Sequence, residues 1–302
     1  MEPIIPPVDR SLILAELIEE KLLRKTNNGN NEIYVVTAQN SPNIMQELGR
    51  LRELSFRDAG GGTGAAVDID DEDLAEEGYQ QLFVWDPKAQ EIVGGYRFIV
   101  SRTTHPKHMS TEHYFRFSDR FRNEFLPYTI ELGRSFVQPH YQGIRQNPKG
   151  LYSLDNLWDG LGALVVTNPD MKYFFGKVTM YGDYNREARD ILLYFLKKYF
   201  PDHDNLIEGI YPIELQFDTE KMEQMFCGGN YAEDYKILTR EIRKCKENIP
   251  PLINSYMNIS PSMRVFGTVT NPDFGGVEET GILITINDIY PVKSERHFKM
   301  VK

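Results

Sequence analysis

Apolar residues recur every four positions at Leu14, Ile18 and Leu22, with Glu16, Glu19, Glu20 and Lys21 between them. A stripe at this spacing predicts an amphipathic first helix opening at Ser11. A polar break over 27–31 then gives way to Ile33-Tyr34-Val35-Val36, whose β-branched and aromatic make-up predicts a short strand. Ser41 or Asn43 caps a second helix, which carries Ile44, Leu48 and Leu51 on one face and Arg50, Arg52 and Phe56 toward its C-terminal end. Residues 59–66 hold four glycines and read as a loop.

Two apolar runs, 82–85 and 92–100, are joined by Asp86-Pro87-Lys88-Ala89-Gln90 and pair most simply as an antiparallel hairpin. Residues 101–123 form an aromatic, mixed-charge connection with short helical pieces, and 128–137 return as a central strand bearing Glu131 and Arg134. Leu154, Leu157, Leu161, Leu164 and Val165 mark a helix, 173–180 a strand, and Asn185 leads into a helix striped by Ala188, Ile191, Phe195 and Tyr199. This middle stretch alternates β-α-β-α. A further strand is expected over 207–217, then an Asn230-capped helix striped by Tyr231, Tyr235, Leu238, Ile242 and Cys245 and stopped by Pro250-Pro251. Two strands, 263–269 and 282–286, close the chain around a loop at 270–281. With no internal repeat, the economical organisation is an α/β (mixed α+β) domain over 41–302, with an N-terminal helix and first strand, 1–40, packed on it.

Composition narrows the function. The 302 residues are 41% hydrophobic and 12% aromatic, enough to bury a sizeable core, which excludes disorder and fibre. Lys plus Arg number 34 against 44 Asp plus Glu, and the net charge of -10 repels a polyphosphate, so no nucleic-acid partner is expected. Cys227 and Cys245 are too few for a disulfide framework and match no zinc spacing. No signal-peptide pattern opens the chain and no apolar run is long enough to span a bilayer, so a cytoplasmic location is expected.

Several stretches invite chemistry. Gly60-Gly61-Gly62-Thr63-Gly64 looks like a phosphate loop, but no Gly-Lys-Ser/Thr follows and it leaves a helix, so a gate or linker is the better reading. Asp68-Ile69-Asp70-Asp71-Glu72-Asp73 fails as a calcium loop, with Asp73 where Gly is needed and Tyr79 where Glu is needed. It reads as a solvated acidic loop or a site for a cationic substrate. His105, His108 and His113 are too irregularly spaced for a metal centre. Glu131 and Arg134 stand three apart in Thr129-Ile130-Glu131-Leu132-Gly133-Arg134-Ser135-Phe136-Val137, a stretch otherwise apolar enough to be interior, where charges need partners. Alternation puts them on opposite faces unless Gly133 marks a bulge. Either the two form a structural ion pair in the core, or they join Arg97 of the preceding hairpin in a polar cleft cut into the sheet.

Taken together, these stretches resemble the acyl-carrier-protein-dependent branch of the GNAT superfamily: the hemolysin-like and ornithine-lipid N-acyltransferases, with acyl-homoserine-lactone synthases more distant. Arg52-Glu53-Leu54-Ser55-Phe56 is similar to that branch's Arg, three residues, Phe, and residues 68–73 to its D-x-D-x-x-D. Gly95-Tyr96-Arg97 is similar to its G-x-R, and Glu131-Leu132-Gly133-Arg134-Ser135-Phe136-Val137 to its E-L-G-R-S-x-V. With Pro250-Pro251-Leu252 and Asp273-Phe274, the resemblance runs over roughly 42–290 and is greatest to the Bacteroidetes enzymes that make N-acylated glycine lipids.

The resemblance implies a GNAT-like fold with a central, mostly antiparallel twisted sheet flanked by helices. It implies transfer of a 3-hydroxy fatty acyl group to the amino group of an amino acid, glycine or ornithine. Catalysis then rests on Glu131, which takes the proton of the acceptor ammonium, and on Arg134, which fixes that glutamate or the acceptor carboxylate. Arg97 takes a carboxylate, Asp70 and Asp73 orient Arg52 or close the loop, Phe56 walls the acyl chain, the backbone N–H groups around Arg134 to Phe136 face the oxyanion, and Ser135, Phe136 and Val137 count among the substrate-binding residues. The usual V-x-P-x-x-Q/R-x-x-G-x-G/A cradle for the pyrophosphate of coenzyme A begins at Val137-Gln138-Pro139 but is incomplete through 143–150. That favours acyl carrier protein over acyl-CoA as donor, with no tightly bound cofactor and no metal. The Tyr that protonates the thiolate in many relatives falls on Leu192, and Gln81 stands where the lipid branch often has His. A lipidic product suggests peripheral contact with the inner membrane. The rivals are a homoserine-lactone synthase and a catalytically silent module that binds acyl carrier or lipid; direct attack by a cysteine is a further route.

Overall fold

The computed structural model describes residues 1–102, 109–142, 150 and 152–298. Its strands are β1 (Leu22–Lys25), β2 (Glu32–Val36), β3 (Gln80–Asp86), β4 (Glu91–Val100), β5 (Phe115–Phe117), β6 (Thr129–Val137), β7 (Tyr173–Met180), β8 (Ile207–Gly209), β9 (Arg264–Asn271) and β10 (Val277–Thr285). Among the described residues, eight of these build one sheet in the order β1-β2-β3-β4-β6-β7-β10-β9, and β5 pairs with β8 apart from it. Every neighbouring pair in the large sheet is antiparallel except β6 and β7, which run parallel. The α/β class and the mostly antiparallel sheet flanked by helices are as the sequence reading expects.

Strand alternation divides the side chains of this sheet into two unlike faces. One carries Leu82, Tyr96, Leu132, Val178 and Ile282, which join the main core beneath α4 (Ser153–Thr167), α5 (Arg186–Tyr199), α7 (Tyr231–Lys244) and α8 (Pro251–Met257). The other face is interrupted. At one end Tyr34, Phe83, Trp85 and Phe136 pack under α2 (Pro42–Asp58), and at the other Phe175, Phe266 and Leu283 pack with Phe117 and Phe121. Between these apolar patches runs a polar row: Gln81 and Arg97 are cross-strand partners, Arg97 faces Gly133, and Glu131, Lys177, Thr179 and Glu279 follow on β6, β7 and β10.

The termini of the elements show where local reading was overruled. The first helix, α1 (Arg10–Glu16), ends before Ile18, and Leu22 belongs to an edge strand instead. Residues 1–40 therefore contribute two strands, β1 and β2, to the main sheet. Ser41 occupies the N-cap of α2, but its hydroxyl does not cap the helix, bonding to Lys21 and Asn40 instead; the Glu16 carboxylate accepts from Asn43 N at 3.0 Å and Ile44 N at 2.8 Å. A residue 27 positions away does the capping. The strand expected over 207–217 is confined to β8. Helix α7 ends at Lys244, with Lys246 at φ 63°, and Pro250-Pro251 open α8 instead of stopping α7. β10 starts at Val277, five residues before its expected start, and the short helices α6 (Thr219–Met225) and α9 (Pro291–His297) were not read from the sequence at all.

Gly94 lets β4 lie close against β6. A Cβ there would stand 2.4 Å from Phe136 O and 3.0 Å from Val137 Cα, both backbone atoms that cannot swing aside. Gly94→Ala is expected to lower unfolding free energy by about 1–3 kcal/mol, read as a lower urea midpoint at unchanged slope.

Candidate active site

Residues 129–132 of β6 pair with 173–176 of β7, and there the pairing stops although both strands continue. The strands part, and a cavity of about 670 Å³ opens in the wedge, lined by Gly133, Ser135 and Val137 on one side and by Lys177, Thr179 and Tyr181 on the other. Among the described residues, the β7-facing edge of β6 has no strand partner from Gly133 onward. Phe56, Phe136 and Phe274 add an aromatic wall, with the Phe56 and Phe274 rings packed edge to face, centroids 5.0 Å apart, and Leu154, Ile249, Pro250, Pro251 and Leu252 add an aliphatic one.

A bulge settles the orientation of Glu131 and Arg134. Gly95 pairs with Phe136 and Arg97 with Gly133, so Tyr96 alone opposes both Arg134 and Ser135. The left-handed residue is Arg134, at φ 49°, not Gly133. The extra residue shifts the alternation, and Glu131, Arg134 and Phe136 all come to line the one cavity. Gly133 serves a different end: a Cβ on it would stand 3.3 Å from Arg97 Nε, so its bareness makes room for the Arg97 side chain.

Glu131 is fully buried. Its Oε1 accepts from Ser110 Oγ at 2.7 Å and from Thr111 N at 3.1 Å, while Oε2 has no hydrogen-bond partner among the described residues. Burial pushes the carboxyl up to about 7, against the opposing influence of Ser110, the Tyr79 hydroxyl and the Arg97 guanidinium. A carboxyl so placed is partly ionised at neutral pH and able to accept a proton. Among the described residues it forms no ion pair with Arg134, so the structural Glu–Arg pair is not what this strand contains.

The arginines are held by the acidic stretch, which is only partly solvated: Asp68 and Asp73 are buried, while Asp70 and Glu72 keep partial exposure and Asp71 faces water. It enters α3 (Asp71–Leu74) through a capping box closed by Asp70 and Asp73. Asp68 and Asp73 are each 1% exposed. Arg134 Nε lies 2.8 Å from Asp68 Oδ2, and Arg97 places Nη1 2.6 Å from Asp70 Oδ2 and Nη2 3.0 Å from Glu72 Oε2. Asp73 Oδ2 is 3.1 Å from Arg52 Nη1 and 3.3 Å from Arg97 Nη1, while Gln81 bridges Arg52 and Asp73. Burial raises the Asp70 carboxyl, but Arg97 and Arg134 outweigh it and hold the group down to about 2. Arg97, Arg134, Phe56, Ser135, Phe136 and Val137 thus line the cavity, whereas Arg52, Asp70 and Asp73 stand behind it as supports.

The glycine loop is equally occupied. Glu53, buried within α2, accepts from Thr63 N at 3.0 Å, Thr63 Oγ1 at 2.8 Å and Gly64 N at 2.8 Å, and Arg57 Nε completes the carboxylate's shell at 2.6 Å. These N–H groups are committed to an internal anion.

Sequence reasoning missed Ser110 and Thr111, which lay in an undifferentiated connection, and Lys177 and Glu279, which looked like isolated polar residues in strands. Lys177 pairs with Glu279 at the cavity wall; burial pulls its ammonium below the usual lysine range, against the pull of Glu279. Leu192 is core, and Tyr194 packs on Phe217 and Phe226, so neither borders the cavity; nor do Cys227 and Cys245. Among the described residues no three His, Cys, Asp or Glu side chains are grouped as a metal ion would require, and no helix is long and apolar enough to cross a membrane. His105, His108 and most of the 143–150 segment lie outside the described residues.

A cavity in the wedge of two diverging parallel strands, with a proton-accepting carboxyl inside it, is architecture suited to acyl transfer onto an amine. The chain belongs to the GNAT N-acyltransferases: its residues 51–148 match the acetyltransferase (GNAT) domain, and full-length relatives extend the match to nearly the whole chain. It is 55% identical to a Glycine N(alpha)-acyltransferase of Phocaeicola vulgatus, over 99% of this chain and 93% of that one. To the Glycine N(alpha)-acyltransferase of Bacteroides thetaiotaomicron it is 54% identical, over 99% of this chain and 90% of the relative. No solved structure matches it significantly. The protein is an N-acyltransferase.

Proposed function

We propose that this enzyme transfers a 3-hydroxy fatty acyl group from acyl carrier protein to the amino group of glycine, as a step of aminolipid synthesis in the cytoplasm. The observation that carries the reading is Glu131: fully buried at the cavity, one oxygen fixed by Ser110 and Thr111, the other without a hydrogen-bond partner among the described residues. The acceptor ammonium gives Glu131 one proton. Its nitrogen then bonds to the thioester carbonyl carbon and loses a second proton as the C–S bond breaks. The thiolate takes up one proton, so each turnover forms an amide and a thiol and releases one proton. The unpaired edge of β6 beyond Gly133 is available to the developing oxyanion. The aromatic and aliphatic walls suit an acyl chain.

The names of the two relatives support glycine over ornithine. The incomplete pyrophosphate cradle supports a carrier protein over coenzyme A. Peripheral contact with the inner membrane follows from the product's chemistry alone.

Purified enzyme given matched 3-hydroxyacyl carrier protein and 3-hydroxyacyl-CoA, with glycine, ornithine or S-adenosylmethionine, is expected to yield N-acylglycine, faster from the carrier protein, by product mass spectrometry. N-acylornithine or an acyl-homoserine lactone as main product replaces the glycine assignment. Binding of acyl carrier protein without any turnover identifies a silent module.

A further inference from the structure

The arginines bordering the cavity turn most of their donors to the acidic stretch: Arg97 spends both terminal nitrogens on Asp70, Glu72 and Asp73, leaving its buried Nε beneath the bare Gly133, and Arg134 turns its Nε to Asp68 and its Nη2 toward Asp70. An α-amino acid entering this cavity still brings a carboxylate that must be met, because an unpaired buried anion is costly. Lys177 stands on β7 at the cavity wall, on the sheet face that carries Glu131, two residues beyond Phe175, the β7 partner of Glu131. Its ammonium has three N–H donors. Glu279 takes one, and among the described residues Nζ forms no other hydrogen bond; the Tyr114 ring lies 4.6 Å away. Glu279 is itself steadied by Thr179 Oγ1 at 3.4 Å.

We propose that Lys177, held by Glu279, is the carboxylate anchor of the acceptor subsite, presenting the acceptor's nitrogen to Glu131. The inference rests on the reading of the substrate as an amino acid. Glu131 and Lys177 lie on the same face of the two strands that part to form the cavity, so an amino acid seated between them can turn its nitrogen to one and its carboxylate to the other. The polar row thus divides the zwitterion: the cation's proton goes to Glu131, and the anion stays with Lys177. Recognition of the carboxylate, more than of the amine, then sets which acceptors are used, since an amine without one leaves Lys177 and Glu279 facing only each other.

The test compares kcat/KM for glycine with that for glycinamide, in which the carboxylate is replaced by a neutral amide. The wild-type enzyme is expected to prefer glycine by about 10- to 100-fold, the worth of one charge-assisted hydrogen bond. Lys177→Met is expected to lose that preference through a higher KM for glycine, with the KM for the acyl donor unchanged, and Lys177→Arg to recover part of it. Removal of Lys177 alone strands Glu279, so Lys177→Met/Glu279→Gln is measured beside it as the variant that leaves no unpaired charge. Retention of the glycine preference in the double variant overturns the proposal, as does equal use of glycine and glycinamide by the wild type. If the wild type ignores glycine but acylates another amino acid, the glycine reading falls. Loss of that acid's preference over its amide in the double variant then upholds the anchor. A natural acceptor that carries no carboxylate overturns both.

Discussion

Replacing Glu131 by Gln is expected to lower kcat by about 10²- to 10⁴-fold, the usual worth of a positioned general base, while leaving the fold intact. The amide preserves shape and can still accept from Ser110 Oγ and Thr111 N through its carbonyl oxygen. What it loses is the ability to take a proton. A continuous assay of released thiol checks the rate. The pH profile supplies the second, independent signature: wild-type kcat/KM rises through a limb near pH 7, where the Glu131 carboxyl ionises, and in the variant that limb disappears. Wild-type turnover by Glu131→Gln removes Glu131 from the base role.

The same residue has an opposite consequence for stability. Burial raises the folded-state carboxyl from 4.5 to about 7, so between those values the folded chain binds more protons than the unfolded one. Stability therefore falls as pH rises through this window. Below about pH 4.5 both states are protonated and burial of the charge costs nothing; above about 7 the cost is fully present, on the order of 3 kcal/mol at 1.36 kcal/mol per unit. Glu131→Gln is expected to be more stable than wild type at pH 8 and to lose most of that advantage at pH 5. Chemical denaturation at the two pH values measures it.

How far the sequence spoke for the structure differs from element to element. β3, β4, β6 and β7 were legible because a strand buried on both faces is written as a long β-branched and aromatic run, whatever its partners do. The bulge in β6 was foreseen as a need, since Glu131 and Arg134 would otherwise diverge. Its place was not: the left-handed residue is Arg134, which carries a Cβ and is held by Asp68 and the Phe274 ring, contacts from segments 66 residues before and 140 after it. Long-range partners also explain the other misses. The N-terminus of α2 is satisfied by Glu16, the acidic stretch folds inward onto three arginines, and the Lys177–Glu279 pair exists only because β10 lies beside β7. A single chain of letters shows each charge but not its partner. The one signal that pointed rightly was chemical: four charges in or beside apolar runs demand a common answer, and the cavity with its supports is that answer.

The second large effect is expected from those supports. Asp73 is buried beside two guanidinium groups, Arg52 at 3.1 Å and Arg97 at 3.3 Å, with Gln81 donating to its other oxygen at 2.9 Å. Asp73→Asn keeps the volume but leaves Arg52, itself 1% exposed, without an anionic partner among these contacts. Breaking a buried pair from one side typically costs about 3–5 kcal/mol, and a thermal or urea melt is expected to show a loss of that order. Asp70→Asn is expected to cost much less, because its side chain is one-third exposed and water screens the charge that is lost. Removing both ends, as in Arg52→Met/Asp73→Leu, is expected to recover a substantial part of the stability, since no buried charge is then stranded. Activity follows a different order. The double variant, though folded, no longer has Asp73 to hold Arg97 beside Gly133 and Glu131, so kcat is expected to stay depressed while the melt recovers. Parallel recovery of both would mean that the network contributes stability alone. Recovery of stability without turnover separates what the acidic loop does for the fold from what it does for the aim of the arginines.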